Sequence, residues 1–259
     1  MTGSIRVLHV DDDPAFAELT SDLLVREDDR FSVETALNAE EGLAKLDTRA
    51  FDCIVSDYDM PGTDGIEFLR QVRETFPDLP FILFTGKGSE EVAAEAISAG
   101  VSDYLQKDGS PSVYSILANR VDNLVDQYRS RQVADELEER LLTMAEASND
   151  ILWLFTADWG ELLFINSEYE ALWGRPIAEL EEDARSFLKG IHPDHRERVR
   201  DAMASLSNGE PVDLEYRVNA DEDFGRWVWV QAEPVFDDET GEVTQVAGMA
   251  RDVTERKTG

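Results

Sequence analysis

Five short apolar runs, Ile5–Val10, Phe31–Thr35, Cys53–Ser56, Phe81–Thr85 and Tyr104–Gln106, divide the first 120 residues, and helical patterns near Ala15–Arg26, Ala39–Asp47, Gly65–Phe76 and Glu90–Ala99 lie between them. Few folds bury both kinds of segment in this order. Strands that each return through a helix run parallel, and the helices then cover both faces of one sheet. The expectation is an α/β unit with a doubly wound, five-stranded parallel sheet.

In such a sheet, ligands sit outside the carboxyl ends of the strands, where the strand order reverses. Asp11, Asp12 and Asp13 follow the first run and Asp57 follows the third. With strands one and three as neighbours, Asp11, Asp12 and Asp57 converge. Clustered carboxylates repel one another and are best held by a hard divalent cation, most simply Mg²⁺. Thr85 ends the fourth run with a hydroxyl, and Lys107 follows the fifth with an ammonium. Carboxylate, metal, hydroxyl and cation are the parts that stabilise a phosphoryl group in transfer, with Asp57 as nucleophile. Asp57-x-Asp59 after an apolar strand also resembles the nucleophile motif of haloacid-dehalogenase-like phosphatases. In that family, however, the motif sits on the first core strand and its acidic partners lie downstream, whereas here it lies on the third and its partners lie upstream. An EF-hand loop starting at Asp57 fails at its twelfth position, Phe68.

Charge narrows the partners. The chain has 56 acidic and 24 basic residues, a formal charge of -32, shared evenly between residues 1–120 (24 acids, 10 bases) and 148–259 (25 acids, 11 bases). Such a surface repels nucleic acid and anionic membranes. The bases are 19 Arg and only five Lys, a pattern similar to that of proteins from salt-accumulating, halophilic microbes. Cys53 stands alone within an apolar run, so no disulfide framework exists and a reducing compartment is expected. The N-terminus has no basic start followed by a long apolar stretch, and no window approaches 18 apolar residues. A cytoplasmic protein without membrane insertion is expected.

From Pro111, with Ser110 as N-cap, to Ala147 a single long helix is predicted. Leu117, Val121, Leu124 and Tyr128 form one seam, and Leu137, Leu141 and Met144 form another after a phase shift near Arg131–Asp135. The second seam is expected to pair with the same helix of a second copy, giving a parallel homodimer. Beyond Asn149, apolar segments at Ile151–Thr156, Leu162–Ile165, Val212–Val218, Arg226–Pro234 and Val243–Arg251 predict an antiparallel sheet with helices on one side, an α+β arrangement. The domains read as 1–125, a helix over 111–147, and 148–257.

VLHVDDDP, IVSDYDMPGTDG, LFTG and DYLQK, in that order, resemble the receiver domain of two-component response regulators, which has a flavodoxin-like fold. The resemblance implies phosphorylation on Asp57 by a histidine kinase or phosphotransfer protein. It also implies Mg²⁺ held by Asp12, Asp57 and the backbone carbonyl of Asp59 with Asp11 assisting, phosphoryl contacts from Thr85 and Lys107, and a switch formed by Thr85 and the Tyr104 ring. Asp13 lies outside the usual acidic pair and is expected to cap the first helix. Asp108 stands where the family commonly has Pro, so a trans bond is expected there. Gly86 leaves the phosphoryl site more open, and Asp59 and Lys87 occupy positions that influence the lifetime of the acyl phosphate.

LLFINSEYEALWGRP, IHPDHRERV, LEYRVN, RWVWVQAEPVFDDETGEV and VAGMARDVTERK resemble a PAS sensor domain. Its ligand stays open. Cysteinyl-flavin chemistry would need a cysteine in this domain, and haem ligation would fall to His192 or His195. Trp153, Trp173, Trp227 and Trp229 fit a core better than a ligand pocket. The resemblance makes Asp252 and Thr254 of DVTERK the signal-coupling pair. The reading is a receiver, helix and PAS phosphorelay protein that is not an enzyme beyond its own phosphoryl transfer and loss. Its alternatives are the N-terminal regulatory part of a longer hybrid histidine kinase and an adaptor that works by contacts alone.

Overall fold

The structure, a computed structural model, describes residues 3–86, 90–108, 110 and 112–258, so Lys87 and the predicted N1 proline Pro111 lie outside the described residues. The chain divides into two compact units, Met1–Glu136 and Leu137–Gly259.

In the first unit β1 (Ile5–Val10), α1 (Pro14–Glu27), β2 (Phe31–Ala36), α2 (Ala39–Thr48), β3 (Cys53–Ser56), α3 (Gly65–Thr75), β4 (Phe81–Thr85), α4 (Glu90–Ser98) and β5 (Asp103–Gln106) alternate. All neighbouring strands are parallel, in the order β2-β1-β3-β4-β5. The two-residue period of a strand splits the apolar residues between two cores. Leu8, Val10, Ile54, Phe81 and Leu83 face one side with Phe68 and Leu69 of α3. Ile5, Val7, Cys53, Val55, Ile82 and Phe84 face the other with Leu24 of α1. Carboxylate and amide side chains start the helices. Asp13, Asn38 and Asp64 each accept backbone N–H groups of the first turn, which satisfies donors the helix itself cannot. Asp13 is therefore the predicted cap.

Helix α5 (Ser112–Glu146) closes the second of these cores with Val113, Leu117, Val121 and Val125. Leu124 and Tyr128 of the predicted seam are partly buried. Ion pairs pin the same part of the helix: Arg30 to Asp122 at 2.8 Å, Arg129 to Asp52 at 2.9 Å, and Arg120 to Asp103. From Ser130 to Met144 every residue of α5 is exposed, Leu137 and Leu141 by more than half.

The second unit contains β6 (Ile151–Thr156), β7 (Leu162–Ile165), α6 (Glu168–Trp173), α7 (Ala178–Glu182), α8 (Pro193–Ser207), β8 (Val212–Val218), β9 (Arg226–Phe236), β10 (Val243–Asp252) and α9 (Thr254–Thr258). The five strands are antiparallel in the order β7-β6-β10-β9-β8. One sheet face packs Ile151, Phe155, Val230 and Ala250 against Leu172, Leu180, Val199 and Met203 of the helices. Buried Asn166 ties the last turn of α5 to this sheet. Its amide donates to Ala145 O at 2.9 Å, and its carbonyl accepts Leu152 N–H at 2.9 Å.

Candidate functional site

Strands β1 and β3 are neighbours, with Val10 beside Ser56. Asp57 N–H donates to Val10 O at 2.8 Å, which draws the two strand ends together. Asp11 and Asp57, one residue past each strand, thus meet at the carboxyl edge of the sheet. Lys107 reaches both from the end of β5. Its Nζ lies 2.7 Å from Asp11 Oδ2 and 2.8 Å from Asp57 Oδ1. All three groups are largely shielded, with side-chain exposures of 16% for Lys107, 3% for Asp11 and 9% for Asp57. The second oxygens are used as well: Asp13 N–H donates to Asp11 Oδ1 at 3.0 Å and Asp59 N–H to Asp57 Oδ2 at 2.9 Å.

Burial pushes the Asp11 carboxyl above its usual value, against the pull of the Lys107 ammonium. Burial also drives His9, on β1 two residues earlier, down to about 3, with Lys107 acting in the same direction. Its imidazole is neutral at physiological pH. Thr85 is fully buried at the end of β4, and Lys107 N–H donates to Thr85 O at 2.8 Å. Tyr104 is half-buried on β5, and its hydroxyl has no hydrogen-bond partner among the described residues.

The predicted site residues are therefore not equivalent. Asp11 is buried and shares the ammonium with Asp57, whereas Asp12 is exposed. Among the described residues no group of three or more His, Cys, Asp or Glu side chains is arranged to hold a metal ion. Two carboxylates of hard oxygen donors, completed by a carbonyl and water, nevertheless suit Mg²⁺, which retains much of its water and takes one or two protein carboxylates. Asp11 and Asp57 would supply them. The Lys107–Asp108 bond is trans, as expected. Among the described residues, a Cβ placed on Gly86 would meet nothing within 4 Å. Phe16, which the sequence reading passed over, lies with its ring centroid 4.1 Å from Lys107 Nζ.

In the second unit the tryptophans separate. Trp153 and Trp173, with Trp159, Tyr169 and Tyr216, line an apolar cavity of about 50 Å³. Pockets that hold drug-sized ligands span roughly 300–1,000 Å³, so haem or flavin does not fit this cavity. Trp227 and Trp229 lie outside this core: Trp229 Nε1 donates to Asp213 at 2.7 Å, and Trp227 meets His195 edge-on at 5.7 Å. His192 caps α8 by accepting Asp194 N–H at 3.2 Å, and neither histidine lines the cavity. Asp252 accepts Thr254 N–H at 2.8 Å, and Thr254 Oγ1 accepts Trp227 N–H at 2.9 Å, which fastens the start of α9 to β9. No helix of the described residues is long and apolar enough to cross a membrane.

Comparison with known proteins agrees with this division. The response regulator receiver domain profile matches residues 7–116, and the PAS fold profile matches residues 162–250. Transcriptional regulatory protein ResD of Bacillus subtilis is 38% identical over 110 residues, which are 42% of this chain and 45% of ResD. The bacterioopsin transcriptional activator of Halobacterium salinarum is 25% identical over 263 residues, 98% of this chain and 38% of the activator. The chain thus spans less than half of either relative. A crystallised domain assigned to a light and redox sensing histidine kinase of Haloarcula marismortui, a halophile, is 54% identical, covering 45% of this chain and 99% of that domain with a TM-score of 0.40. Parallel sheet, clustered strand-end residues and antiparallel second unit agree with both profiles: the chain belongs to two-component signalling and carries a response regulator receiver domain followed by a PAS-fold domain.

Proposed function

We propose that the protein accepts a phosphoryl group on Asp57 from a histidine kinase or phosphotransfer protein in the cytoplasm, and that this acceptance depends on Mg²⁺. The observation that carries the reading is the single ammonium of Lys107 shared by Asp11 and Asp57 at the carboxyl edge of the parallel sheet. A carboxylate oxygen of Asp57 attacks phosphorus, an O–P bond forms, and the donor's N–P bond breaks as its imidazole regains a proton. Mg²⁺ bound by Asp11, Asp12, Asp57 and the Asp59 carbonyl would neutralise charge on the phosphoryl oxygens. Lys107 then turns from the carboxylates to a phosphoryl oxygen, the Thr85 hydroxyl donates to another, and Tyr104 repacks around the moved Thr85. The stretch 1–125 acts as receiver, 111–147 as the connecting helix and 148–257 as the PAS module, with Asp252 and Thr254 passing the signal on. Leu137, Leu141 and Met144 pair with a second copy in a parallel homodimer. The exposure of all three supports that pairing.

Mass spectrometry after treatment with a small acyl phosphate tests the phosphoacceptor. Wild type should gain one phosphoryl group in the presence of Mg²⁺, and Asp57→Asn none. Equal labelling of both overturns the assignment.

A further inference from the structure

Helix α1 begins at its cap Asp13, whose carboxylate accepts the N–H groups of Ala15 and Phe16. The cap fixes Phe16 in the first turn, beside the carboxyl edge of the sheet. Its ring centroid lies 4.1 Å from Lys107 Nζ, and that of fully buried Phe84 lies 5.5 Å away. The two rings are 6.1 Å apart and tilted by 40°, and Phe84 meets Tyr114 of α5 edge-on at 6.1 Å. The ammonium therefore meets the Asp11 and Asp57 carboxylates and two rings, of which Phe16 is the nearer and Phe84 the more distant.

We infer that Phe16 is a positioning residue for Lys107: its ring keeps the ammonium at the phosphoryl site when both carboxylate partners are engaged elsewhere. This rests on the reading of Asp57 as phosphoacceptor. A cation held by Asp11 and Asp57 competes for the same oxygens that hold Lys107. Once they are taken, the flexible lysine stem is free to swing toward solvent, and ordering it again opposes the reaction. The ring is unaffected by that competition. It attracts the ammonium through its quadrupole, without a directional hydrogen bond to break, so the charge can pivot from carboxylate to phosphoryl oxygen while staying over the same face. Leu or Met at position 16 would preserve the apolar packing but not this attraction.

The test places 4-fluoro-, 3,5-difluoro- and pentafluorophenylalanine at position 16 of the full chain, in native and Lys107→Met backgrounds. Fluorination drains the ring's negative face while nearly preserving its shape. With a small acyl phosphate and saturating Mg²⁺, the labelling rate of Asp57 should fall stepwise by about 3- to 30-fold across the series, and should stay flat in Lys107→Met. A flat series in the native background, or the same slope in both, overturns the inference. The ¹⁹F resonance of 4-fluorophenylalanine at position 16, read without metal or phosphodonor, should move on Lys107→Met and hold still on Lys45→Met. An unmoved resonance overturns the inference even where Asp57 is labelled. A moved resonance in a protein that no phosphodonor labels supports the ring contact and refutes the phosphoacceptor reading instead.

Discussion

Gly65 is where packing and chemistry are most tightly bound to one atom. It opens α3 directly after the loop that follows Asp57, and a Cβ there would lie 2.2 Å from Asp57 O, 2.8 Å from Leu83 Cδ1 and 3.0 Å from Tyr58 Cα. Two of these neighbours are backbone atoms and cannot rotate away. Gly65→Ala therefore forces the Asp57 carbonyl and the start of α3 apart by roughly 1 Å, an overpacking that typically costs about 1–3 kcal/mol. The carbonyl accepts the Ser56 hydroxyl at 2.8 Å, and Gly65 N–H donates to Tyr58 O at 2.9 Å, so the displacement reaches the Asp57 carboxylate through its own backbone. A misplacement of this size lowers a position-dependent reaction by on the order of 100-fold. Labelling of Asp57 by an acyl phosphate, measured beside urea unfolding followed by far-UV circular dichroism, reads both effects. Gly86→Ala is the control, because a Cβ there meets nothing within 4 Å among the described residues and should leave stability unchanged. A Gly65→Ala protein with native stability and native labelling would refute the reasoning.

Lys107→Ala and Thr85→Ala should retain the fold yet weaken the change that follows phosphorylation, Lys107 by about 1.5–3 kcal/mol for a charge-assisted contact; unchanged phosphorylation-induced spectral shifts in both refute their roles. In the PAS unit, burial and then the charges of Arg198 and Arg217 hold His195 below its ordinary 6.5. The unfolded chain then binds the proton more readily, so this group's contribution is complete above pH 6.5 and declines as pH falls below it. All five tryptophans lie in the PAS unit, so tryptophan-monitored unfolding isolates it, and His195→Gln should flatten the pH profile. Identical profiles for wild type and variant contradict this. Sedimentation at molar salt should find a dimer that Leu137→Asp/Leu141→Asp dissolves; a monomer at every salt concentration refutes the pairing.

The parallel sheet could be read from sequence because its two periodicities are strong: apolar strand runs, buried throughout in β3 and β4, separated by helices with polar caps. The strand-end positions were readable for the same reason, since residues 11, 57, 85 and 107 each follow or end an apolar run. What sequence cannot rank is neighbours within a run of like residues. Asp11, Asp12 and Asp13 look alike in one dimension, yet successive side chains leave a strand end in different directions. One is buried on Lys107, one is exposed, and one caps α1. Phe16 escaped notice because its partner is 91 positions away and nothing in its local pattern separates it from a core aromatic. The tryptophans divided because β9 alternates: Val228 and Val230 face the core, while Trp227 and Trp229 lie off it.

Helix α5 joins these properties. Its first half is held by buried apolar residues and three arginine ion pairs, and its last turn by Asn166, whereas every residue of Ser130–Met144 is exposed. A helical stretch of about 15 residues is marginal in water when it stands alone, so the intervening part draws its order from its anchored ends and from whatever covers Leu137, Leu141 and Met144. Its charges oppose the simplest cover. Residues 131–144 contain four carboxylates, of Asp135, Glu136, Glu138 and Glu139, against the two guanidinium groups of Arg131 and Arg140. Two such helices side by side repel at low ionic strength. At roughly 1 M salt the screening length shrinks to about 3 Å, the repulsion fades, and the apolar attraction remains. The same acidic composition would thus make the proposed pairing of this helix a function of salt, and a signal carried along the paired helix would inherit that dependence.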